Sequence, residues 1–414
     1  MALAMATAAT MATVSVPAMA ADDVNITIFN SKMEVQSQFE EKAAEYSEET
    51  GVGVEVYYSS DTVAAHLATK YSANDPYTLA MVDPKDIYSL AKDHAIDLSD
   101  QDWVKETDYA IGIDDQINGF PTCVEARGLI YNADAIEAIT GEKFNPEDYK
   151  TLDAFKELLE TLKKGGMETP TGIMKEDWSL EAHFLTQVYE EQPDVEEFIS
   201  ELHEGKADLI NNEKFNSLMD FFDVMMENNY AKDSAIAAER ETTEMMLAEG
   251  QIAFMFGGNW DWSVLNAYDY SENMGMMPVP QNTDDGSNEK LVGGGSKFFM
   301  IDSSDATSDE QRQAAKDFLT WLADSEEGQS FIVNDCALIP AFSNNKLEVA
   351  DPLGKSVKEY ADAGQLIGSY NYMPDDGISV CGAICQKYLA GQIDRAEFAS
   401  EIEDYWKNTA PVEH

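Results

Sequence analysis

The stretch EGQIAFMFGGNWDWS, residues 249–263, decides how the rest of the chain is read. Its apolar run, 252–256, has the length and composition of a short buried strand. The run breaks at Gly257 and Gly258 and then presents Asn259, Trp260, Asp261 and Trp262. Indole faces stack on the C–H face of a pyranose, while amide and carboxylate groups hydrogen-bond its hydroxyls. A core tryptophan with a chance neighbour is the plainer alternative. In an extended chain Trp260 and Trp262 share one face, and Asn259 and Asp261 point the other way. Only a sharp turn after the glycines gathers all four.

Upstream of this stretch, strands and helices alternate. Residues 25–29, 52–58 and 77–82 have strand character, and 35–50, 62–71 and 86–94 have helical periodicity, the first ended by Gly51. That alternation predicts βαβ units and a mostly parallel sheet. A turn at 117–121 leads to a strand over 128–132, and 152–164 is an amphipathic helix with Asp153 near its start. Helical patterns dominate 180–249, including 215–228 and 242–248. After the 252–256 strand come a Met/Pro-rich segment at 274–280, a loop at 282–288 and a Gly-rich strand at 291–301. Helices follow at 308–322, 378–390 and 395–406. A return to strand late in the chain indicates two lobes visited more than once, with a cleft between them.

At 414 residues the chain is long enough for two or three domains. It carries 78 acidic against 27 basic residues, a net charge of −51. Such a surface repels phosphate backbones and anionic lipid head groups, so nucleic acid is not expected as a partner. It also favours a soluble monomer. A solvated acidic surface accounts for the charge more simply than a cationic ligand does. Residues 1–20, MALAMATAATMATVSVPAMA, have the apolar and cleavage parts of a secretory signal peptide without its positive start. The mature chain is expected to begin near Ala21, outside the cytoplasm. Of the four cysteines, Cys381 and Cys385 stand four apart and would lie one above the other on a helix. Buried free thiols are favoured over a bond or a metal pair, since no histidine lies near them in sequence.

Motifs for catalysis or cofactors are missing from the sequence. Gly51 and Gly53 lack the third glycine of a dinucleotide fingerprint, because position 56 is Val. The run Gly293, Gly294, Gly295, Ser296 is not a nucleophile elbow, since Phe298 stands where glycine is required. His66, His94, His183, His203 and His414 are scattered, and Asp375, Asp376 and Gly377 supply too few oxygens for a calcium loop. No metal and no cofactor is expected. Among 78 acids, no pair of carboxylates for glycoside hydrolysis stands out.

Several segments occur in the order seen in one family: 25–51, 119–132, 246–262, 275–280 leading into 291–295, the helix at 314–321, and Glu327-Gly328-Gln329. On these the chain resembles the family 1 extracellular solute-binding proteins of ABC sugar importers, the maltose-binding-protein-like family. The resemblance spans nearly the whole mature chain and rests on the ordered set rather than on one specific motif. It implies an α/β, two-lobed periplasmic-binding-protein type II fold, each lobe a mixed sheet flanked by helices, with a ligand cleft between them. Lobe one would comprise 22–123 and 291–341, and lobe two 128–288 and 346–406, joined by crossover segments that hinge on ligand.

The same resemblance places ligand contacts at Glu125 and at Trp260, with Asn259 before it and Trp262 beside it. It adds polar groups after the first strand (Asn30, Ser31, Lys32, Glu34), Asp83 at the end of the third, Trp178, and Tyr370 or Tyr372. Arg127 departs from the family pattern, which is apolar there. A guanidinium at that point either clamps hydroxyls or a sugar carboxylate, or pairs with Glu125. Trp321 and Trp406 fall on amphipathic helices and are expected in the core; Trp103 suits either place. The expected function is a non-enzymatic, extracytoplasmic receptor that delivers an oligosaccharide to membrane permease subunits. Two rivals remain: the same fold binding a polyamine by cation–π contact, which Arg127 and Lys32 oppose, and a glycoside-processing enzyme.

Overall fold

A computed structural model describes residues 24–59, 61–374 and 376–412. The expected signal peptide, Asp375 and His414 lie outside the described residues.

Ten strands form one curled mixed sheet. They are β1 (Asn25–Phe29), β2 (Gly53–Tyr57), β3 (Leu79–Val82), β4 (Phe120–Asn132), β5 (Thr171–Gly172), β6 (Phe254–Gly258), β7 (Met274–Met277), β8 (Leu291–Ile301), β9 (Ile339–Pro340) and β10 (Leu366–Ile367). The main path runs β2-β1-β3-β8-β4-β6-β5, with β10 on β8 and β7 and β9 on β4. The predicted parallel pairing holds for β2-β1-β3, where helices 36–50 and 63–72 make the crossovers. It fails beyond β3. There β8 runs antiparallel to β3 and β4, and β4 runs antiparallel to β6, β7 and β9.

The expected strand at 128–132 is the far end of a longer one. From Phe120 to Arg127, β4 pairs with β8; from Arg127 to Asn132 it pairs with β6 and β7. It thus carries the chain from one half of the molecule to the other, alongside β8. The expected strand at 252–256 is shifted to Phe254–Gly258, so the glycines belong to the strand instead of ending it. Gly257 and Gly258 pair with Gly128 and Arg127. The Met/Pro-rich segment contributes β7.

Local signals explain the helix ends. Gly51 takes φ +79°, the left-handed conformation that closes helix 36–50 and that a Cβ disfavours. The amphipathic helix Leu152–Lys164 is capped by the Thr151 hydroxyl, which accepts from Ala154 N at 3.3 Å, rather than by Asp153. Ser308 caps Asp309–Asp324 in a reciprocal box with Gln311, at 3.2 and 3.0 Å.

Alternating side chains sort the strands between cores. On β8, Phe299 and Ile301 join a large cluster with Ile26, Phe39 and Phe318, while Phe298 and Met300 face Phe29, Leu67 and Ile87. A second large cluster gathers Phe155, Phe215, Phe254 and Trp406. Trp406 is fully buried and donates to the Tyr189 hydroxyl at 3.0 Å. Trp103 is also core, edge-on to Phe120, and Trp321 packs on Tyr46 and Phe318. All four cysteines are buried and free, Cys381 and Cys385 on helix Gly377–Leu389.

Candidate ligand-binding cleft

The two long strands make the floor of a cleft of about 510 Å³, within the size range of small-ligand sites. Glu125, Ala126 and Arg127 of β4 and residues 292–297 of β8 form that floor. Lys32, Glu34, Asp83 and Lys85 rise from the first half, and Trp178, Glu181, His183, Glu190, Trp260 and Tyr370 from the second.

Each wall follows from local geometry. Glu125 and Arg127 are two apart on β4 and so share a face. Residues Ser179–Leu185 form a π-helical stretch running into helix Thr186–Glu190. Its widened turn carries Glu181 and His183, and such turns recur at functional sites. After β6 the chain folds into a 3-10 turn, Asn259–Asp261, and then the short helix Trp262–Leu265. The turn lays the Trp260 ring back over Gly258, where a Cβ would collide with it.

Three aromatic rings run along one wall. His183 lies edge-on to Trp178, with centroids 5.3 Å apart, and 4.7 Å from Trp260. Both indoles are half-buried. His183 is half-buried with its Nδ1 out of solvent, and desolvation first, then Arg127 and Arg240, push its pKa well below the usual value, so it is neutral.

The charged groups are mostly paired. Lys32 Nζ lies 2.8 Å from Glu125 and 2.7 Å from Glu34. Burial lowers the Lys32 pKa, but the Glu125 and Glu34 carboxylates and the Cys123 thiol outweigh it and leave it raised. Burial likewise opposes ionisation of Glu34, and the Lys32 ammonium holds it below the usual carboxylate range. Lys297 Nζ meets Asp83 at 2.5 Å. Arg127 pairs with Glu190, not Glu125; both are buried. Its guanidinium also donates to the His183 carbonyl at 2.7 Å, Thr186 Oγ1 at 2.9 Å and Ser369 Oγ at 3.3 Å. Glu190 accepts from Tyr370 N at 2.8 Å, tying the late segment to the pair.

Of the residues expected at a ligand, Lys32, Glu34, Asp83, Glu125, Arg127, Trp178, Trp260 and Tyr370 line this one cleft. Others are drawn elsewhere. The turn that presents Trp260 sends Trp262 onto Tyr270, 4.8 Å away. Asn259 Oδ1 accepts from Ala126 N at 2.9 Å, pegging the turn to β4. Tyr372 packs on Tyr88 at 4.6 Å and on Tyr370 at 5.6 Å. Asp261 is buried and serves the backbone, accepting from Gly258 N at 2.9 Å. Asn30 closes its own turn, accepting from Lys32 N and donating to Lys32 O, both at 2.9 Å.

The sequence from residue 41 to 363 matches the family described as bacterial extracellular solute-binding protein. The chain belongs to that family. This solute-binding protein is therefore extracytoplasmic, and among the described residues no helix is long and apolar enough to cross a membrane. A comparison with curated protein sequences gives no match. Its fold is that of solved binding proteins at low identity. The putative binding protein MsmE of Bacillus subtilis, in an open conformation, aligns at TM-score 0.73 and 18% identity, covering 93% of this chain and 97% of that one. The apo form of RafE from Streptococcus pneumoniae aligns at 0.73 and 18%, covering 94% and 99%. A manno-oligosaccharide-specific binding protein of Bifidobacterium animalis, in complex with mannotriose, aligns at 0.64 and 17%, covering 93% and 94%.

Sequence reasoning about the solute-binding protein missed Lys297, Glu181, His183, Glu190 and Ser369 in the cleft, and Arg240 behind it. Lys297 had a signal, since it follows the Gly-rich run by two residues. Glu181 and His183 had none, because a π-helical turn is not visible in periodicity.

Proposed function

We propose that this solute-binding protein is a non-enzymatic receptor that delivers an oligosaccharide to the membrane permease of an ABC importer. The observation that carries this reading is the aromatic wall Trp178–His183–Trp260 facing paired carboxylates and cations across one cleft. Indoles take the apolar faces of sugar rings, and fixed ion pairs offer donors and acceptors to hydroxyls. Trp178 and Trp260 are the stacking platforms. Lys32, Glu34, Asp83, Glu125, Arg127 and Tyr370 take the hydroxyls, and Asn259, Trp262 and Tyr372 buttress them. Relatives of the same fold support it: RafE is known in complex with raffinose, and another with mannotriose. Four basic side chains in the lining set the cleft against a polyamine.

Lobe one, 22–123 with 291–341, closes on lobe two, 128–288 with 346–406, about the crossover strands. The protein acts as a monomer, as its strong negative charge favours.

A thermal-shift screen against mono-, di- and oligosaccharides tests this. A ligand at about 100 times its Kd adds roughly 2.7 kcal/mol of stability. A rise with one oligosaccharide class, lost in Trp260→Ala, is the expected result, with the sugar recovered intact. A rise with polyamines alone overturns the reading, and so does cleavage of the sugar.

A further inference from the structure

Glu181 is wholly buried on the cleft lining, yet neither carboxyl oxygen has a hydrogen-bond partner. Leaving such a group unpartnered costs stability, so its persistence needs a reason. His183 Nδ1 and Trp260 Nε1, on the same lining, are likewise buried without partners. These groups await donors and acceptors that the protein itself does not bring.

The surroundings say what kind. The nearest cation, Arg127, already spends its guanidinium on Glu190, the His183 carbonyl, Thr186 and Ser369. Lys32 and Lys297 are held by Glu125, Glu34 and Asp83. No cation of the lining hydrogen-bonds Glu181, although Lys85, which has no ion partner among the described residues, acts on it through its charge. Burial, then Glu190 and Asp177, raise its pKa, while Arg127 and Lys85 lower it; the balance stands at about 8. Glu181 is therefore a neutral acid at neutral pH, offering one O–H donor and acceptor lone pairs. With it neutral, the four cations of the lining face four carboxylates. The cleft is balanced inside a chain of net charge −51.

We propose that Glu181 is a specificity-determining residue of this cleft: its carboxyl takes hydroxyls of an uncharged sugar ring and selects that ring against one bearing an amine. This rests on the sugar-receptor reading of the same site. An added ammonium would meet a balanced, desolvated pocket with Arg127 close by to repel it, whereas a carboxylate could find Lys85. A neutral hydroxyl pair satisfies Glu181 without altering the balance.

The test is calorimetric titration of the wild type, Glu181→Gln and Glu181→Ala with raffinose, stachyose and mannotriose, and with a glucosamine trimer. For a neutral sugar that binds, Gln holds the affinity within about threefold, while Ala loses about 10- to 50-fold. Between about pH 6 and about pH 9.5 the wild type weakens about tenfold as the acid ionises, and the Gln variant does not. Melting of the apo variants controls for folding, since a structural role would change melting and leave the pH profile of binding alone. Equal affinity of Ala and wild type overturns the proposal, as do loss in Gln equal to that in Ala or tighter binding of the glucosamine trimer. If no sugar of any charge binds, the receptor reading itself has failed, a separate result.

Discussion

The guanidinium of Arg240 lies 4.5 Å from the centre of the Trp178 ring. The same group donates to Asp261 Oδ1 from Nε at 3.1 Å and from Nη2 at 2.5 Å, and it lies 3.2 Å from Glu244. Asp261 in turn holds the backbone turn that presents Trp260. One half-buried cation, outside the cleft lining, thus braces both indoles. Burial works against the charge of Arg240, and Asp261, with Glu244 and Glu176, outweighs it and keeps the pKa raised.

Replacing Arg240 by Met should therefore weaken sugar binding by about tenfold without removing a ligand contact, as cation–π and charged hydrogen bonds are each worth roughly 1–2 kcal/mol. In a double-mutant cycle with Trp178→Ala, the two losses should fall short of additive. Full additivity in titration calorimetry would refute the bracing role.

The stacking platforms should separate from their neighbour. Trp178→Ala and Trp260→Ala should each lose about 10- to 100-fold in affinity, roughly 1.4–2.8 kcal/mol. Trp262→Ala, whose ring lies on Tyr270, should bind within about twofold of wild type. Tryptophan fluorescence titration checks all three, and a loss in Trp262→Ala equal to the others would contradict this placement.

The buried pair of Arg127 and Glu190 should behave as a unit. Arg127→Met leaves Glu190 buried and unpaired and should cost about 3–5 kcal/mol in denaturant unfolding. Adding Glu190→Met should restore most of that, because the desolvated charge is gone. If the double variant is no more stable than the single, the penalty lies elsewhere.

Stability should fall as pH rises from mildly acidic to mildly basic. Burial foremost raises Asp86 to about 6, Glu191 to about 7, and Glu181 and Glu244 to about 8. In the unfolded chain they titrate near about 4–4.5. Between these values the folded state binds more protons, so the stabilisation present below about pH 4.5 is lost as pH rises through about 8. Glu34 and Asp285 are shifted the other way, and their contribution is lost at lower pH. Calorimetry should place the highest Tm near about pH 5, with a decline of about 5 °C or more toward about pH 8.5. A Tm that is flat or rising over that interval would contradict these shifts.

Two adjacent glycines should differ. A Cβ on Gly293 would collide with the Glu125 carbonyl oxygen across the β4–β8 pairing, whereas a Cβ on Gly294 meets open space. Gly293→Ala should cost about 1–3 kcal/mol and disturb the cleft floor, and Gly294→Ala should be tolerated. Thermal melts of the two variants decide it.

Much of this was legible in residue order. The parallel start, the helices at 152–164 and 309–324 and the strand at 291–301 follow from periodicity, caps and turn residues close in sequence. The ordered segments from 25 to 329 pointed to the family, and the match over 41–363 establishes it. Local pattern reached Trp260, because it follows an apolar run broken by glycines and stands beside polar groups, and the resemblance added Trp178.

What the sequence determined by itself was the kind of chain: an acidic, α/β solute-binding protein with indoles after a pair of glycines. Tertiary structure decided which charges meet. Arg127 stands two residues from Glu125 but pairs with Glu190, 63 positions away, and Lys32 takes Glu125 across 93. The physical reason is that a charge in a desolvated cleft pairs with whatever the fold brings within a few ångströms, and separation along the chain does not encode that distance. The antiparallel crossover of β4 and the π-helical turn that buries Glu181 were likewise hidden, since both depend on partners far away in sequence.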